Sequence, residues 1–253
     1  MDKNIEQAIS YFKKKDYSNA LNSFLEAEKN DENNPNIINN VGLCYYHLNS
    51  YEKAEEYFIK ALSLDSKMVE AYVNLTDIYY KQNKYLEAIE LLQNAVYILP
   101  ENLVLKHYLA RIYIADSRHD LAIAMLDEVI EKSDKNYDAH WDMGRVFFEL
   151  GDYYSAIEHF EKVIEQFPEN ELMLYQLGQA YEANDEIEKA LSCYLKSTAI
   201  NEKFHPAFKK TGLIFMAQGD IQGACEYFED YLELAAPEEE KAMIVKLLER
   251  IKS

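Results

Sequence analysis

The chain has 253 residues, 45 acidic against 26 basic side chains, a formal net charge of −19 and only seven glycines and five prolines. Acidity of this size repels phosphate backbones, which excludes nucleic acid as a partner class, and otherwise serves solubility. The opening MDKNIEQAIS lacks the basic stretch and apolar core of a secretory signal, and no apolar run is long enough to span a bilayer. Cys44, Cys193 and Cys225 are odd in number and lack metal-ligand spacing. They suit a reducing compartment, and the expected location is the cytoplasm.

A period of 34 residues organises the rest of the chain. The first stretch, 1–34, carries Ala8, Tyr11, Ala20 and Phe24. In the second, 35–68, the same places hold Gly42, Tyr45, Ala54 and Phe58. Thr76, Tyr79, Ala88 and Leu92 follow in 69–102, then Ala110, Tyr113, Ala122 and Leu126 in 103–136. The fifth stretch, 137–170, gives Gly144, Phe147, Ala156 and Phe160; the sixth, 171–204, gives Gly178, Tyr181, Ala190 and Tyr194. Gly212, Phe215, Ala224 and Phe228 close the series in 205–236. No insertion or deletion breaks the register.

Each column has a steric reason. The small residue and the alanine let two helices approach where larger side chains would hold them apart, and the large residues fill the space on either side. Apolar spacing is helical in both halves of a repeat, as in Leu75, Ile78 and Tyr79 followed by Ala88, Leu91, Leu92 and Ala95. Turns such as KQNKY and ELGDY divide the halves, and loops such as LPEN and FPEN divide the repeats. Pro100 and Pro168 suit those loops, because proline stops one helix and opens the next. The predicted repeat is therefore helix, short turn, helix, loop.

After the seventh repeat the pattern changes. In 237–253, Pro237 begins a helix whose first turn holds Glu238 to Glu240 and whose end holds Lys246, Arg250 and Lys252, matching the helix dipole. Ile244, Leu247, Leu248 and Ile251 form one apolar stripe, so this helix is expected to cap the last repeat.

Signals of catalysis are absent from the sequence. The glycines form no phosphate-binding or dinucleotide loop, and neither HExxH nor CxxC occurs. DENNPNIINNVG opens like a calcium loop but lacks its central glycine and closing glutamate. His140 falls at a packing position, His119 at a turn and His107 on an inner helix face, so the histidines read as structural or solvated. The expectation is a non-enzymatic protein without cofactor or metal.

The columns resemble the tetratricopeptide repeat. The third stretch matches the family pattern with Tyr72, Leu75, Thr76, Tyr79, Ala88, Leu92, Ala95 and Pro100, and the fifth with Met143, Gly144, Phe147, Ala156, Phe160 and Pro168. Val129, Val163, Ser197 and Tyr231 depart from it by replacing an alanine late in the second helix. The resemblance implies an all-α, right-handed superhelical solenoid whose concave groove, lined by the first helix of each repeat, binds an extended or helical protein segment. On the groove positions it places Asn39, Asn40, Asn74, Tyr108, Arg111, Trp141, Arg145, Phe148, Gln176 and Lys209. Asn40, Asn74 and Gln176 occupy equivalent places, and a carboxamide pairs with peptide backbone whatever its sequence. Arg111 and Arg145 are likewise equivalent, and with Trp141 and Phe148 they form a candidate anchor for an acidic or aromatic segment. The Lys and Asn set with which co-chaperone members of the family hold acidic C-termini is not matched. A second reading, motivated by 21 tyrosines and an uncapped first repeat, is a homo-oligomerising structural protein, at its simplest a homodimer.

Overall fold

The computed structural model describes residues 3–234 and 236–252, and among them it contains fifteen α-helices and no strand. They divide into two compact units, Met1–Lys132 and Ser133–Ser253. The N-terminal unit holds α1 (Lys3–Lys13), α2 (Tyr17–Asn30), α3 (Pro35–His47), α4 (Tyr51–Leu64), α5 (Val69–Lys81), α6 (Tyr85–Ile98), α7 (Leu103–Ala115) and α8 (His119–Lys132). In the C-terminal unit lie α9 (Tyr137–Leu150), α10 (Tyr153–Gln166), α11 (Glu171–Ala183), α12 (Ile187–Ile200), α13 (His205–Gln218), α14 (Ile221–Glu233) and α15 (Glu238–Ile251). Within each unit a helix packs against the next in the chain, pair upon pair, which is the architecture of an α-solenoid.

The turn inside every pair is built in one way. Lys15, Asn49, Asn83, Ser117, Gly151, Asp185 and Gly219 all adopt positive φ, between 56° and 82°, at the 34-residue spacing. One left-handed residue ends the first helix and lets the backbone reverse. The loops between pairs use a different device. Asn34, Asn102, Asn136 and Asn170 each accept a backbone N–H of the following helix, capping α3, α7, α9 and α11.

Packing within a pair follows the columns. All seven column alanines, from Ala20 to Ala224, are fully buried. A Cβ added at Gly42, Gly144, Gly178 or Gly212 would lie within 2.7 Å of the ring of Phe58, Phe160, Tyr194 or Phe228, respectively. The ring therefore rests on the backbone of the facing helix. Where the small residue carries a Cβ, as at Thr76 and Ala110, the facing residue shrinks to Leu92 and Leu126. Ala8 against Phe24 is the exception, in the first pair, where α1 packs chiefly on α2.

Tyrosine hydroxyls hold one pair to the next. Tyr79 on α5 donates to Glu55 on α4 at 2.9 Å, and Tyr113 on α7 accepts from Gln93 on α6 at 2.9 Å. Tyr181 on α11 donates to Glu161 on α10. At the far end α15 lays Ile244 and Leu248 on Phe208, Phe228 and Tyr231, with Leu247 and Ile251 alongside, so the stripe caps the stack as expected. Each unit also buries one cysteine. Burial pushes the Cys44 thiol up to about 12 and the Cys193 thiol up to about 11, and all three cysteines are free.

Two substitutions probe these devices. Gly144→Ala gains ~1 kcal/mol of helix propensity but overpacks Phe160, so urea unfolding should show a net loss of about 1–2 kcal/mol. The double variant with Phe160→Leu should recover part of that loss, as the Ala110 and Leu126 pairing does. Ser117→Gly should stabilise by about 1 kcal/mol in the same assay, because it relieves a left-handed residue of its Cβ.

Candidate binding groove

The first helices of the C-terminal unit bring several of the expected groove residues together. Arg145 and Phe148 on α9 meet Gln176 and Gln179 on α11 around a cavity of about 260 Å³, with Glu149 on its edge and Phe160 of α10 as its floor. Trp141, one turn before Arg145, leans on Phe160 with ring centroids 4.9 Å apart. Phe148 packs against Tyr153 at 5.4 Å. The Arg145 guanidinium approaches Asp142 only to 3.7 Å, beyond hydrogen-bond reach. Gln176 Oε1 is shielded from solvent and has no hydrogen-bond partner among the described residues.

The other cations on this side are already engaged. Lys210 on α13 donates to both carboxylate oxygens of Glu182 on α11 at 2.9 Å, and Tyr194 adds a third hydrogen bond to Glu182 at 2.7 Å. Lys209 donates to Glu240 of α15 at 2.6 Å, and Tyr231 donates to the same carboxylate at 2.8 Å. Lys209, expected as a groove residue, thus ties the cap helix to the last repeat. Those two donors hold the Glu240 carboxyl below the usual range. Tyr175 lies among the same groups, and burial, then Glu182 and Glu240, push its hydroxyl up.

In the N-terminal unit the equivalent side is organised differently. Asn74 donates its side-chain amide to Asn39 across neighbouring repeats at 3.2 Å. Asn39 is itself buried and Asn40 half-buried, so this carboxamide series is partly spent on itself. Asp77 lies beside them, its carboxyl raised by burial against the opposing pull of Lys81 and Arg111. Lys81 sits over the Tyr46 ring at 4.3 Å, and Arg111 over Tyr108 at 5.9 Å. Arg111 and Arg145 belong to different units.

Behind the groove face of α9 is a feature that sequence reading missed. His140, fully buried, faces His159 of α10 with the two Nδ1 atoms 2.9 Å apart, and His140 Nε2 lies 3.2 Å from the Asp134 carbonyl. The carbonyl requires a hydrogen on His140 Nε2, so His140 Nδ1 accepts and His159 Nδ1 donates. Phe147 stacks on His159 at 5.7 Å. Burial, His140 and then Lys162 lower His159 to about 4, and burial and Lys162 lower His140 despite Asp134. Among the described residues no group of three or more His, Cys, Asp or Glu side chains is placed to hold a metal ion, and no helix is long and apolar enough to cross a membrane.

A tetratricopeptide-repeat family profile matches residues 33–101 and 136–203, and two further profiles of the same description match 79–143 and 208–236. The chain belongs to the tetratricopeptide repeat family. Among solved structures, the C-terminal part of a repeat-containing protein from Cytophaga hutchinsonii is 19% identical, with a TM-score of 0.75 over 95% of this chain and 98% of that one. A tetratricopeptide repeat protein from Parabacteroides merdae is 18% identical, with a TM-score of 0.69 over 100% and 98%. YrrB, described as a tetratricopeptide repeat protein with an unusual peptide-binding site, is 25% identical, with a TM-score of 0.59 over 73% and 95%. No curated protein matches the sequence. In this tetratricopeptide repeat chain, then, Arg145, Phe148 and Gln176 share one cavity, Asn39 and Asn74 one hydrogen bond, and Tyr108 and Arg111 one cation–π contact. Gln179, which completes the cavity, occupies the repeat position of Arg111 and Arg145, a signal available at the period of the sequence.

The histidine pair gives the fold a pH dependence of known sign. Both folded-state values are lowered, so between about 4 and the unfolded value near 6.5 the unfolded chain binds more protons. Stability is present above about 6.5 and falls as pH drops through that window. Urea midpoints measured from pH 7 to pH 5 should decline, and His159→Gln should flatten the decline; an unchanged slope would remove the pair as its cause.

Proposed function

We propose that this chain is a non-catalytic, cytoplasmic scaffold that binds a segment of another protein along the faces of its first helices. The observation that carries this reading is the cavity in which Arg145, Phe148, Gln176 and Gln179 converge. Arg145 is the groove cation of the C-terminal unit with the longest ion pair, since Lys209 and Lys210 are held at 2.6 and 2.9 Å by Glu240 and Glu182. Its guanidinium keeps donors for an incoming acceptor, and aromatic rings beside it supply apolar contact area. Trp141 supports that wall through Phe160. Asn40, Asn74, Tyr108 and Arg111 contribute secondary contacts in the N-terminal unit. A related fold in YrrB, which carries a peptide-binding site, supports the same use of these helices.

Photo-crosslinking tests the assignment. A photoreactive residue at Gln179 in the full chain should capture a discrete partner from native lysate. Arg145→Ala should cut that yield at least tenfold at unchanged melting temperature, and Asn74→Ala should cut it severalfold while lowering the melting temperature by a few degrees, because it leaves the buried Asn39 oxygen without its donor. The same probe at Tyr154, which is 65% exposed on a second helix, should capture far less. Equal capture from both positions, or indifference to Arg145→Ala, would show that the groove is not the binding face.

A further inference from the structure

Resting on that groove reading, we propose that Tyr80 and Tyr85 form an open clamp for a cationic side chain, a lysine or arginine of the bound segment. In each of the first three repeats an aromatic pair joins the end of the first helix to the start of the second: Phe12 with Tyr17, Tyr46 with Tyr51, and Tyr80 with Tyr85. Their ring centroids lie 5.3, 5.8 and 5.9 Å apart. For the first two pairs, the following repeat supplies a side chain to the rings from one fixed position. His47 stacks on Tyr17 at 4.3 Å and meets Phe12 edge-on at 5.4 Å. Lys81 places its ammonium 4.3 Å from the Tyr46 centroid and 5.7 Å from that of Tyr51. At the third pair the same position falls to Ala115, which has no group to extend over the rings.

The second pair shows what the third accepts, because the two are built alike. Both are tyrosine pairs, and the second ring is tied down by the same bond: Tyr51 donates to Asn49 at 3.1 Å, and Tyr85 donates to Asn83 at 2.9 Å. The first pair differs, with Phe12 in place of tyrosine and Lys15 where the asparagines stand. Tyr80 is 50% exposed, whereas Tyr46, beneath Lys81, is half-buried. The face of a tyrosine ring attracts a cation, and two rings held in place beforehand lose little freedom on receiving one. Cations of the chain near Ala115 are engaged elsewhere. Arg118 meets Asp116 at 2.6 Å, and Arg111, one turn before Ala115, lies over Tyr108 at 5.9 Å. A net charge of −19 further favours a basic segment over an acidic one.

Selection from a random dodecapeptide display library on the immobilised full chain, with Ala115→Lys as the subtracting arm, tests this. That substitution should lay the chain's own ammonium over the rings, as Lys81 does, and close the clamp. Peptides lost on Ala115→Lys should share a lysine or arginine at one position. In synthetic copies, replacing that residue by glutamine should weaken binding about fivefold, and Tyr80→Leu should weaken the parent peptide about as much. Ala115→Glu, of similar bulk and opposite charge, should preserve or strengthen binding. Matching melting temperatures of the variants ensure that affinity and not folding is being read. A shared acidic or aliphatic residue, indifference to Tyr80→Leu, or equal loss with Ala115→Glu would overturn the clamp. Peptides that all survive Ala115→Lys but are lost on Arg145→Ala would overturn it and leave the groove reading intact. Indifference to both substitutions would sink the groove reading as well.

Discussion

An aromatic ring laid on a stretch of helix with no side chain governs the spacing of four of the helix pairs. At Gly144 the missing Cβ brings Phe160 onto the backbone of α9, and at Gly178 it brings Tyr194 onto α11. Dispersion and apolar burial favour the approach, and the steric wall behind it allows no closer fit. The side proposed for binding inherits its geometry from this contact. Arg145 follows Gly144 directly, and Gln176 and Gln179 flank Gly178, so both sets of side chains hang from backbone that a ring holds in place. Phe160 does both tasks, as spacer for its pair and as floor of the cavity.

A chain with 45 acidic residues must place them where their repulsion does least harm. Some serve as acceptors between layers. Glu55 and Glu161 receive tyrosine hydroxyls from the next pair, and Glu182 receives a tyrosine and a lysine together. Such hydrogen bonds to a charged acceptor are stronger than neutral ones, and they hold adjacent pairs in register. They also account for tyrosine at Tyr79 and Tyr181, in a column where Phe147 and Phe215 stand without a hydroxyl. Hydroxyls that donate to carboxylates gain a second reason to stay protonated, and Tyr79 is raised to about 12 by burial and by Glu55.

Much of the fold was legible because its determinants recur at one spacing. The alanines, the glycines and the facing rings declare the helix pairs, and the stripe from Ile244 to Ile251 declares the cap. A further recurring signal, the asparagines at 34, 102, 136 and 170 that cap the following helices, was present in the sequence but not used. The left-handed turn residues show the opposite case: Gly151 and Gly219 advertise themselves, whereas Lys15 and Ser117 give no hint of their conformation. Details of the groove were hidden for a related reason. The Asn39–Asn74 bond, the capture of Lys209 by Glu240 and the facing of His140 with His159 depend on how far one helix is displaced along another. Side-chain type at a repeat position fixes which face a residue occupies. It does not fix which neighbour it meets there.

Cys44 and Cys193 fall one to each unit, both buried and both with their thiolates suppressed by that burial. The thiolate is the nucleophile that attacks an alkylating reagent, so neither sulfur reacts while its surroundings stay closed. Each is therefore a native chronometer: its rate of modification records how often that half of the chain breathes open, and the two rates can be read side by side in one sample by mass.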